Sequence, residues 1–294
     1  MPHRSCSYNR VLTPFTLAAM PPPARPLLSQ ASRPLTVEIP AIDEHGATVP
    51  TAIAGEHPLT LYVDKREIVT LMTLGAAPEA LAIGWLRNQR LVRSLDEIAA
   101  VQVDWDVDAV AVTTRRGLHD AEHKLGSRTV TTGCGQGTVF GGLMDEIDQV
   151  RLPQDRQLGQ STLYALMEAV RHHESIYKQA GAVHGCALAR ATPAGCEILM
   201  FFEDVGRHNA VDAIAGQMWL DGLDGADKIF YTTGRLTSEM VIKTAQMGIP
   251  FLVSRSGLTH MGWQIAEKIG LTMIGRAQGK HYLLFSGADR FVRD

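Results

Sequence analysis

The second half of the chain alternates short apolar runs with longer amphipathic stretches, and this alternation constrains the fold more than any other feature. A short apolar run bounded by polar residues is typical of a buried strand, and apolar residues that recur with helical spacing are typical of a helix. Strands that alternate with helices predict βα units around a largely parallel sheet. The predicted strands are 181–190, 196–204, 228–233, 249–255, 271–277 and 281–287, and the predicted helices are 160–179, 206–220, 238–248 and 261–270.

The first half has a different pattern. Between residues 35 and 132 apolar and polar residues alternate in several runs, which is typical of half-buried strands, with a further short strand predicted at 123–132. The stretch PEALAIGWLRNQRLV, which starts at Pro78, predicts the main helix of this half. The sequence therefore predicts an α/β protein: a smaller β-rich N-terminal domain at 35–152, which ends in a glycine-rich cysteine loop, and a domain with a mixed sheet and helices at 153–294.

Residues 1–34 are predicted to be a disordered tail. The segment contains four arginines, no Asp or Glu, and three consecutive prolines at 21–23, and it shows little periodicity. An acid-poor segment with arginines also fits a targeting peptide, but Pro14 interrupts the short apolar stretch that a secretory signal needs. The pattern favours a tail, and a targeting function stays open.

The composition argues against several function classes. Hydrophobic residues make up 45% and charged residues 20% of the 294 residues, which is typical of a soluble globular protein. No apolar run is long enough for a transmembrane helix, so we expect no membrane partner. The net charge of −3 argues against nucleic-acid binding, which needs clustered Lys and Arg. The four cysteines contain no C-x-x-C pair, and the sequence therefore predicts a cytoplasmic protein.

Polar segments follow three of the predicted strands, each directly before a helix. Because the carboxyl ends of parallel strands meet at the edge where open α/β sheets bind ligands, we expect these segments to lie together. Each contains an arginine, namely Arg207, Arg235 or Arg255, and each leads into a helix N-terminus, whose free N–H groups and positive dipole suit phosphate. The segments are 203–209, 232–239 and 254–259.

These segments predict a pocket for a polyanionic, nucleotide-like ligand. Ser, Thr, Asp and Asn favour helix N-caps whatever the function, so ordinary capping explains any single segment equally well. Three segments that each carry an arginine favour a binding function. His184, in the predicted strand 181–190, is a weaker member of the same edge, because a lone histidine in a strand is more often structural.

The stretch TTGCGQGTVFGG, residues 131–142, surrounds Cys134 with five glycines. Glycine tolerates close backbone approach, so such a run is typical of a mobile loop, an anion cradle or a site that a bulky partner must reach. Exposed backbone N–H groups and nearby Arg or His lower the pKa of a cysteine and so favour its reactive thiolate. The stretch therefore marks Cys134 as a candidate nucleophile.

Four interpretations of Cys134 compete. A zinc site is disfavoured, because no second cysteine or paired histidine stands at ligand spacing and the H-x-E and P-C-x-x-C motifs of zinc deaminases are absent. A cysteine hydrolase with His184 or His208 as base has no local signature. A sulfur carrier that holds a persulfide on a loop fits the exposed thiol, and a glycine-rich turn that contains a cysteine by chance stays open.

Several longer segments resemble the formate dehydrogenase accessory sulfurtransferase family (FdhD). The resemblance covers nearly all of residues 35–294, and its most specific carriers are EDVGRHNAVD and TGRLTSEMV. The other carriers are LYVDKREIVTLMTLGAAPEALAIGWL, the Gly-Cys-Gly loop, GAVHGCALA and VSRSGLT. The resemblance implies a cytidine-deaminase-like fold without zinc chemistry for the second domain, and it implies a homodimer.

The same resemblance implies a function. Proteins of this family take sulfur as a persulfide from a cysteine desulfurase and hand it to the molybdenum cofactor, bis-molybdopterin guanine dinucleotide, of formate dehydrogenase. Cys134 would be the catalytic persulfide carrier, and guanine nucleotides such as GDP would mimic the cofactor. The residues implied to hold its phosphates and guanine are Thr233, Gly234, Arg235, Ser238, Ser254 and Ser256. Those implied to shape or cap the same edge are Glu203, Asp204, Arg207, His208 and Asn209, with His184 as a weaker member.

The cysteine loop departs from the family pattern C-G-x-C-G, which has two cysteines. Either Cys134 matches the first cysteine and Gly137 replaces the second, or Cys134 matches the second and Thr131 replaces the first. No disulfide can form within the loop in either register, so a persulfide on Cys134 would leave only to an acceptor or an outside thiol. Two other functions stay open: a chaperone that binds the molybdenum cofactor without carrying sulfur, and a cysteine hydrolase that acts on a nucleotide.

Overall fold

A computed structural model describes residues 25–118, 147 and 149–294. The predicted strand 123–132 and the Cys134 stretch lie outside these residues, as does the tail up to residue 24. Leu27 and Leu28 already form a strand that pairs with Ala100 and Val101, so the predicted beginning of ordered structure at residue 35 is too late. Backbone pairing to a neighbouring strand fixes these residues, which single-sequence patterning cannot reveal.

The first half forms a five-stranded sheet with a helix on one face. Leu59, Leu61 and Val110 on the strands and Trp85 on the helix are almost completely buried, because every second strand residue points to the helix-covered face. The elements are β1 (Leu27–Leu28), β2 (Thr36–Ile42), β3 (Thr48–Ala54), β4 (His57–Val63), β5 (Arg66–Thr73), α1 (Pro78–Asn88), β6 (Ile98–Asp104) and β7 (Ala109–Thr114). The sheet order is β1-β6-β7-β4-β5, and β2 and β3 form a separate hairpin.

The second half forms a six-stranded sheet between two layers of helices. The elements of the second half of the chain are β8 (Leu158–Gly159), α2 (Gln160–His172), α3 (Ile176–Ala180), β9 (His184–Thr192), β10 (Gly195–Asp204), α4 (Arg207–Leu220), β11 (Lys228–Thr232), α5 (Ser238–Gln246), β12 (Phe251–Ser254), α6 (His260–Ile269), β13 (Thr272–Gln278), β14 (His281–Ser286) and β15 (Phe291–Val292). The sheet order is β10-β9-β11-β12-β13-β14. Alternate residues of β9 face opposite layers: Leu188 packs with α4, α5 and α6, and Ala189 packs on the side of α2.

The prediction of a largely parallel sheet is wrong, whereas the mixed sheet is confirmed. Only the pairs β11–β12 and β12–β13 are parallel within this sheet, and the other three pairs are antiparallel. The connections β9–β10 and β13–β14 contain two residues each, which is too short for a helical crossover and allows only a hairpin. Because β10 and β11 are both antiparallel to β9, the strands β10, β11, β12 and β13 still run in one direction.

The predicted helix 160–179 is two helices, because polar groups cap a second start inside it. α2 ends at His172, and His173 has extended backbone angles. The hydroxyl oxygen of Ser175 accepts a hydrogen bond from the backbone N–H of Lys178, which makes Ser175 the N-cap of α3. A local side-chain bond of this kind competes with continued helix, and here it is favoured over the apolar periodicity.

The two sheets are joined by the packing of α1 against α4. Every residue of α1 is buried, and Gly84 and Gly216 lie where the helices cross. A Cβ atom on Gly84 would lie 1.7 Å from the backbone oxygen of Asp212, so only glycine permits this approach. The guanidinium of Arg87 also donates to the backbone oxygen of Ala215 at 2.6 Å. The boundary predicted between residues 152 and 153 stays a prediction.

Candidate functional site

The three polar segments predicted to form a pocket meet at one edge of the six-stranded sheet. The strands β10, β11 and β12 end there because they run in the same direction, and α4 and α5 begin directly beyond the first two. β9 runs the opposite way and begins at this edge, where His184 pairs with Asp204. We call this edge, with its segments 203–209, 232–239 and 254–259 and His184, the ligand edge.

Three arginines converge on His184. This histidine is half-buried, and its pKa is lowered first by burial and then by the positive charges of Arg207, Arg235 and Arg255. The three segments also touch: the backbone N–H of Arg255 donates to the oxygen of Thr232 at 3.3 Å, and Gly234 lies against Arg207, so the segments lie together as expected. Arg235 and Arg255 are exposed, whereas Arg207 is 93% buried. The ligand edge therefore contains three guanidinium groups of the kind that bind a polyanion.

The segment after β11 is shaped by backbone hydrogen bonds. The hydroxyl of buried Ser254 donates to the backbone oxygen of Gly234 at 2.6 Å and accepts from the backbone N–H of Ser256 at 2.8 Å. Thr233 pairs with Gly185 through its backbone N–H and its hydroxyl oxygen. In this structure the side chains of Ser254 and Thr233 therefore hold the segment that follows β11 in place. Their predicted contact with phosphate stays a prediction.

Gly234 makes room for Arg207. A Cβ atom on Gly234 would lie 2.8 Å from Cδ of Arg207, so a larger residue would displace this side chain. Within the described part of the chain, the buried Nε of Arg207 has no hydrogen-bond partner. The hydroxyl of Thr237, the N-cap of α5, is likewise buried without a partner there, and Ser238 is the first residue of α5. Unpaired buried donors at two helix N-termini are suited to an anionic ligand.

Asp204 joins the ligand edge to the first sheet. Its carboxylate accepts hydrogen bonds from the Thr73 hydroxyl at 2.5 Å, the backbone N–H groups of Leu74 and Gly206, and the Asn209 amide at 2.8 Å. Burial raises the pKa of this carboxyl although the four donors oppose the shift. Asp204 and Asn209 thus bond to the protein itself, and their predicted role at a cofactor stays a prediction.

Glu203 caps α3. Its carboxylate accepts from the backbone N–H groups of Ile176 at 2.5 Å and Tyr177 at 3.2 Å, which are free donors at the N-terminus of this short helix. The role predicted for Glu203, to shape or cap the ligand edge, stays a prediction, because in this structure its carboxylate caps α3. The sequence interpretation missed this arrangement because it placed residues 176–180 inside a longer helix.

A cleft of about 610 Å³ opens beside the ligand edge, between α2, α3 and the sheet. Its walls are mostly apolar and aromatic, and Thr233 and Arg255 belong both to the cleft and to the ligand edge. The Arg255 guanidinium lies over the ring of Tyr177, 5.5 Å from its centroid. The main wall residues are Tyr164, Met167, Val170, Tyr177, Phe201 and Tyr231. The volume and lining suit a planar ring system attached to an anionic group.

Comparison with known proteins identifies the family. The model of the FdhD/NarQ family matches residues 54–292, which is most of the chain. The chain belongs to the FdhD/NarQ family. Proteins named sulfur carrier protein FdhD are similar to it: that of Listeria monocytogenes serotype 4b (strain F2365) is 30% identical over 247 residues, covering 83% of this chain and 93% of the relative. That of Wolinella succinogenes is 27% identical over 235 residues, covering 80% of both chains.

A solved structure supports the same assignment to the FdhD/NarQ family. It is described as a formate dehydrogenase accessory protein from Desulfotalea psychrophila, and it matches with a TM-score of 0.69 and 25% sequence identity. The match covers 88% of this chain and all of that chain. The similarity therefore extends over both sheets of this FdhD/NarQ member.

Two cysteines of this FdhD/NarQ member lie in the described residues, and neither is poised as a nucleophile. Cys186 is completely buried, and burial raises the pKa of its thiol to about 12. Burial likewise raises the pKa of Cys196 to about 11. Both thiols are therefore protonated at neutral pH and poorly reactive. Cys134 lies outside the described residues, so its predicted role stays a prediction.

The described ranges contain neither a metal-ligand cluster nor a membrane-spanning helix. No three His, Cys, Asp or Glu side chains are grouped there so that they could hold a metal ion. None of the helices in those ranges is long and apolar enough to cross a membrane. The predictions of no zinc and of a cytoplasmic location stay predictions.

Proposed function

We propose that this FdhD/NarQ-family protein is a sulfurtransferase that carries persulfide sulfur on Cys134 from a cysteine desulfurase to the molybdenum cofactor of formate dehydrogenase. One observation carries the proposal: three arginines from separate segments converge at an edge with free helix N-termini, beside a cleft that fits a planar ring. A pterin guanine dinucleotide combines phosphates with planar rings. The names of the relatives supply the sulfur chemistry.

The first step is exchange of a sulfur–sulfur bond. The thiolate of Cys134 attacks the terminal sulfur of the desulfurase persulfide, the S–S bond in the donor breaks, and the donor cysteine leaves as a thiolate. The new S–S bond forms on Cys134, so the step needs no outside oxidant or reductant. With one cysteine in the loop, the S–S bond on Cys134 then breaks and Cys134 leaves as a thiolate. The outer sulfur forms a new S–S bond to an external thiolate, or it is taken up as sulfide by the bound cofactor, which would supply the two electrons. The molybdenum cofactor is the substrate of the second transfer.

The ligand edge would hold the phosphates of the cofactor, and the cleft would receive a ring. Arg207, Arg235 and Arg255 supply positive charge, and the unpaired donors at the beginnings of α4 and α5 supply hydrogen bonds. Arg255 lies where the edge meets the cleft, so it can contact both a phosphate and a stacked ring. A cytoplasmic location, a cytidine-deaminase-like second domain and a homodimer belong to the same proposal.

Intact-mass spectrometry tests the sulfur transfer. Wild-type protein incubated with a cysteine desulfurase and cysteine is expected to gain about 32 Da, reversed by reductant, because a persulfide adds one sulfur atom. Cys134→Ala is expected to gain nothing, and Cys196→Ala, which removes a partly buried thiol, should behave like the wild type. Absence of the adduct on wild type, with the desulfurase shown to be active, would support the chaperone function instead.

Calorimetric titration with GDP tests the ligand edge. Arg255→Ala is expected to weaken GDP binding by about tenfold, because an exposed charge-assisted contact contributes roughly 1.5 kcal/mol. Arg190→Ala is the matched control, since Arg190 lies towards the opposite end of β9 and pairs with Glu197 at the surface. Equal affinity of wild type and Arg255→Ala would place the ligand elsewhere.

A further inference from the structure

A chain of buried charged groups runs from the ligand edge into the contact between the two sheets. The Lys243 ammonium on α5 lies 2.9 Å from a carboxylate oxygen of Asp212 on α4 and 3.5 Å from a carboxylate oxygen of Glu239. The other Glu239 oxygen lies 3.4 Å from Nε2 of His208. At the far end, the Asn88 amide on α1 donates to Asp212 at 2.6 Å. Lys243 and Asp212 are completely buried.

Stability alone does not account for these charges. Removing an ion from water costs several kcal/mol, and replacing a buried ion pair by apolar residues of similar size is often neutral or stabilising. A second function of this chain of charged groups is therefore indicated. The outer end of the chain of charged groups is His208, which lies in the first turn of α4 at the ligand edge, next to Arg207.

His208 is buried, but neither of its ring nitrogens has a hydrogen-bond partner in the described ranges. Glu239 and Lys243 face it from α5, His184 from β9, Arg235 from the segment after β11, and Arg207 precedes it in the chain. Burial lowers the pKa of His208 to about 2, and the next largest cause is the charge of Lys243, followed by those of the other basic groups. The Glu239 carboxylate, 3.4 Å from Nε2, is the anion placed to oppose this shift.

Burial is the largest cause of the lowered pKa, and the balance between Glu239 and Lys243 adds to it. While Lys243 holds the Glu239 carboxylate, His208 has no uncompensated anion beside it. Without Lys243, Glu239 would be the nearest charge, and a carboxylate at this distance favours the protonated ring. A neutral imidazole presents one donor and one acceptor to a ligand, whereas an imidazolium presents only donors and adds a fourth positive charge.

We infer that Lys243 is a positioning residue of the ligand edge: by pairing with both Asp212 and Glu239 it prevents Glu239 from charging His208, so that the imidazole meets the ligand uncharged. The inference rests on the proposed function only in naming an anionic ligand. The charge of His208 is measurable without any ligand, so the two can fail separately.

Nuclear magnetic resonance of the histidine rings tests the inference on the full chain. The His208 signals, identified by their loss in His208→Gln, are expected not to titrate between pH 5 and pH 8 in the wild type. In the double variant Lys243→Met, Asp212→Asn, which removes both charges of the buried pair, the pKa of His208 is expected to rise above its wild-type value, because Glu239 then faces the ring without the ammonium, while burial and the arginines still oppose protonation. Lys228→Met is the matched control, because this lysine is also buried and paired, with Asp227, but begins β11 at the opposite end from the ligand edge.

GDP affinity measured from pH 6 to pH 8 gives a second readout that a structural role would not change. The ligand's own phosphate titrates in the same way with every variant. The ratio of double-variant to wild-type affinity therefore reports only changes in the charge of the protein. That ratio is expected to rise as the pH falls, because a larger fraction of His208 becomes positive in the double variant than in the wild type. For Lys228→Met the ratio should stay constant.

Three outcomes would overturn the inference. The first is that His208 titrates between pH 5 and pH 8 in the wild type, which needs no variant to fold. The second is that its pKa does not rise in the folded double variant, and the third is that Lys228→Met shifts its pKa equally. Should the first double variant not fold, Lys243→Met with Asp212→Leu repeats the test with an apolar pair. Failure of GDP to bind any form would contradict the proposed ligand and leave the ring titration to decide the role of Lys243.

Discussion

Gly84→Ala is expected to lower the free energy of unfolding by about 3 kcal/mol or more, although the same change in an exposed helix interior usually stabilises by about 1 kcal/mol. The added Cβ would lie 1.7 Å from the backbone oxygen of Asp212, and a backbone atom cannot move aside without displacing α4. The only relief is to separate α1 from α4, which would expose the two helices' shared apolar surface. The sign of the effect therefore reports the contact between the two sheets.

Urea unfolding of purified protein measures this effect. Gly257→Ala is the matched control, because a Cβ atom at Gly257 meets nothing within 4 Å, and its free energy of unfolding should stay within about 0.5 kcal/mol of the wild type. Gly216→Ala should resemble Gly84→Ala, since its Cβ would lie 1.9 Å from the backbone oxygen of Ala80. A stable Gly84→Ala protein would mean that α1 and α4 are not packed as described.

Asp204→Ala is expected to lower the free energy of unfolding by about 3 to 5 kcal/mol, because it leaves four donors in a buried place without their acceptor. Two of these donors, on Thr73 and Leu74, belong to the end of the first sheet. The other two lie at the beginning of α4, next to Arg207. We therefore also expect GDP affinity to fall in whatever fraction of the variant stays folded.

Two further variants separate the buried carboxylate from a general loss of charge. Glu197→Ala, on the same strand β10, removes an exposed carboxylate paired with Arg190 and should cost less than about 1 kcal/mol. Asp204→Asn keeps the shape and one acceptor, so its loss should lie between the other two. An Asp204→Ala protein as stable as Glu197→Ala would show that the four hydrogen bonds contribute little in solution.

The ligand edge could be predicted from sequence because its signal is local. Arg207, Arg235 and Arg255 each stand within three residues of the end of an apolar strand, and the shared direction of the three strands then brings them together. The hairpin of β9 and β10 was missed although the few residues between 190 and 196 leave no room for a helix. Helical periodicity after residue 160 also concealed the break at His173, because the caps that cause it act over only a few residues.

Other parts of the site could not be predicted, because they depend on contacts between distant segments. Glu239 and Lys243 stand four residues apart, which on a helix usually indicates an exposed ion pair, and only the packing of α4 shows that the pair is buried. The cleft has walls from residues as far apart as Tyr164 and Lys280, so no single motif marks it. The Asp204 carboxylate is predictable as polar, but not as the acceptor for the Thr73 hydroxyl.

The packing of α1 against α4 also bears on recombination between relatives. Consider a chimaera that takes residues 25–118 from one member of the family and the remainder from another. Its Gly84 must still fit against the backbone of Asp212, and its Thr73 must still bond to Asp204, because both contacts join the two exchanged parts. At about 30% identity these counterparts are not guaranteed to match. A crossover between the two sheets would therefore disturb the ligand edge, although it lies far along the chain from the three arginines.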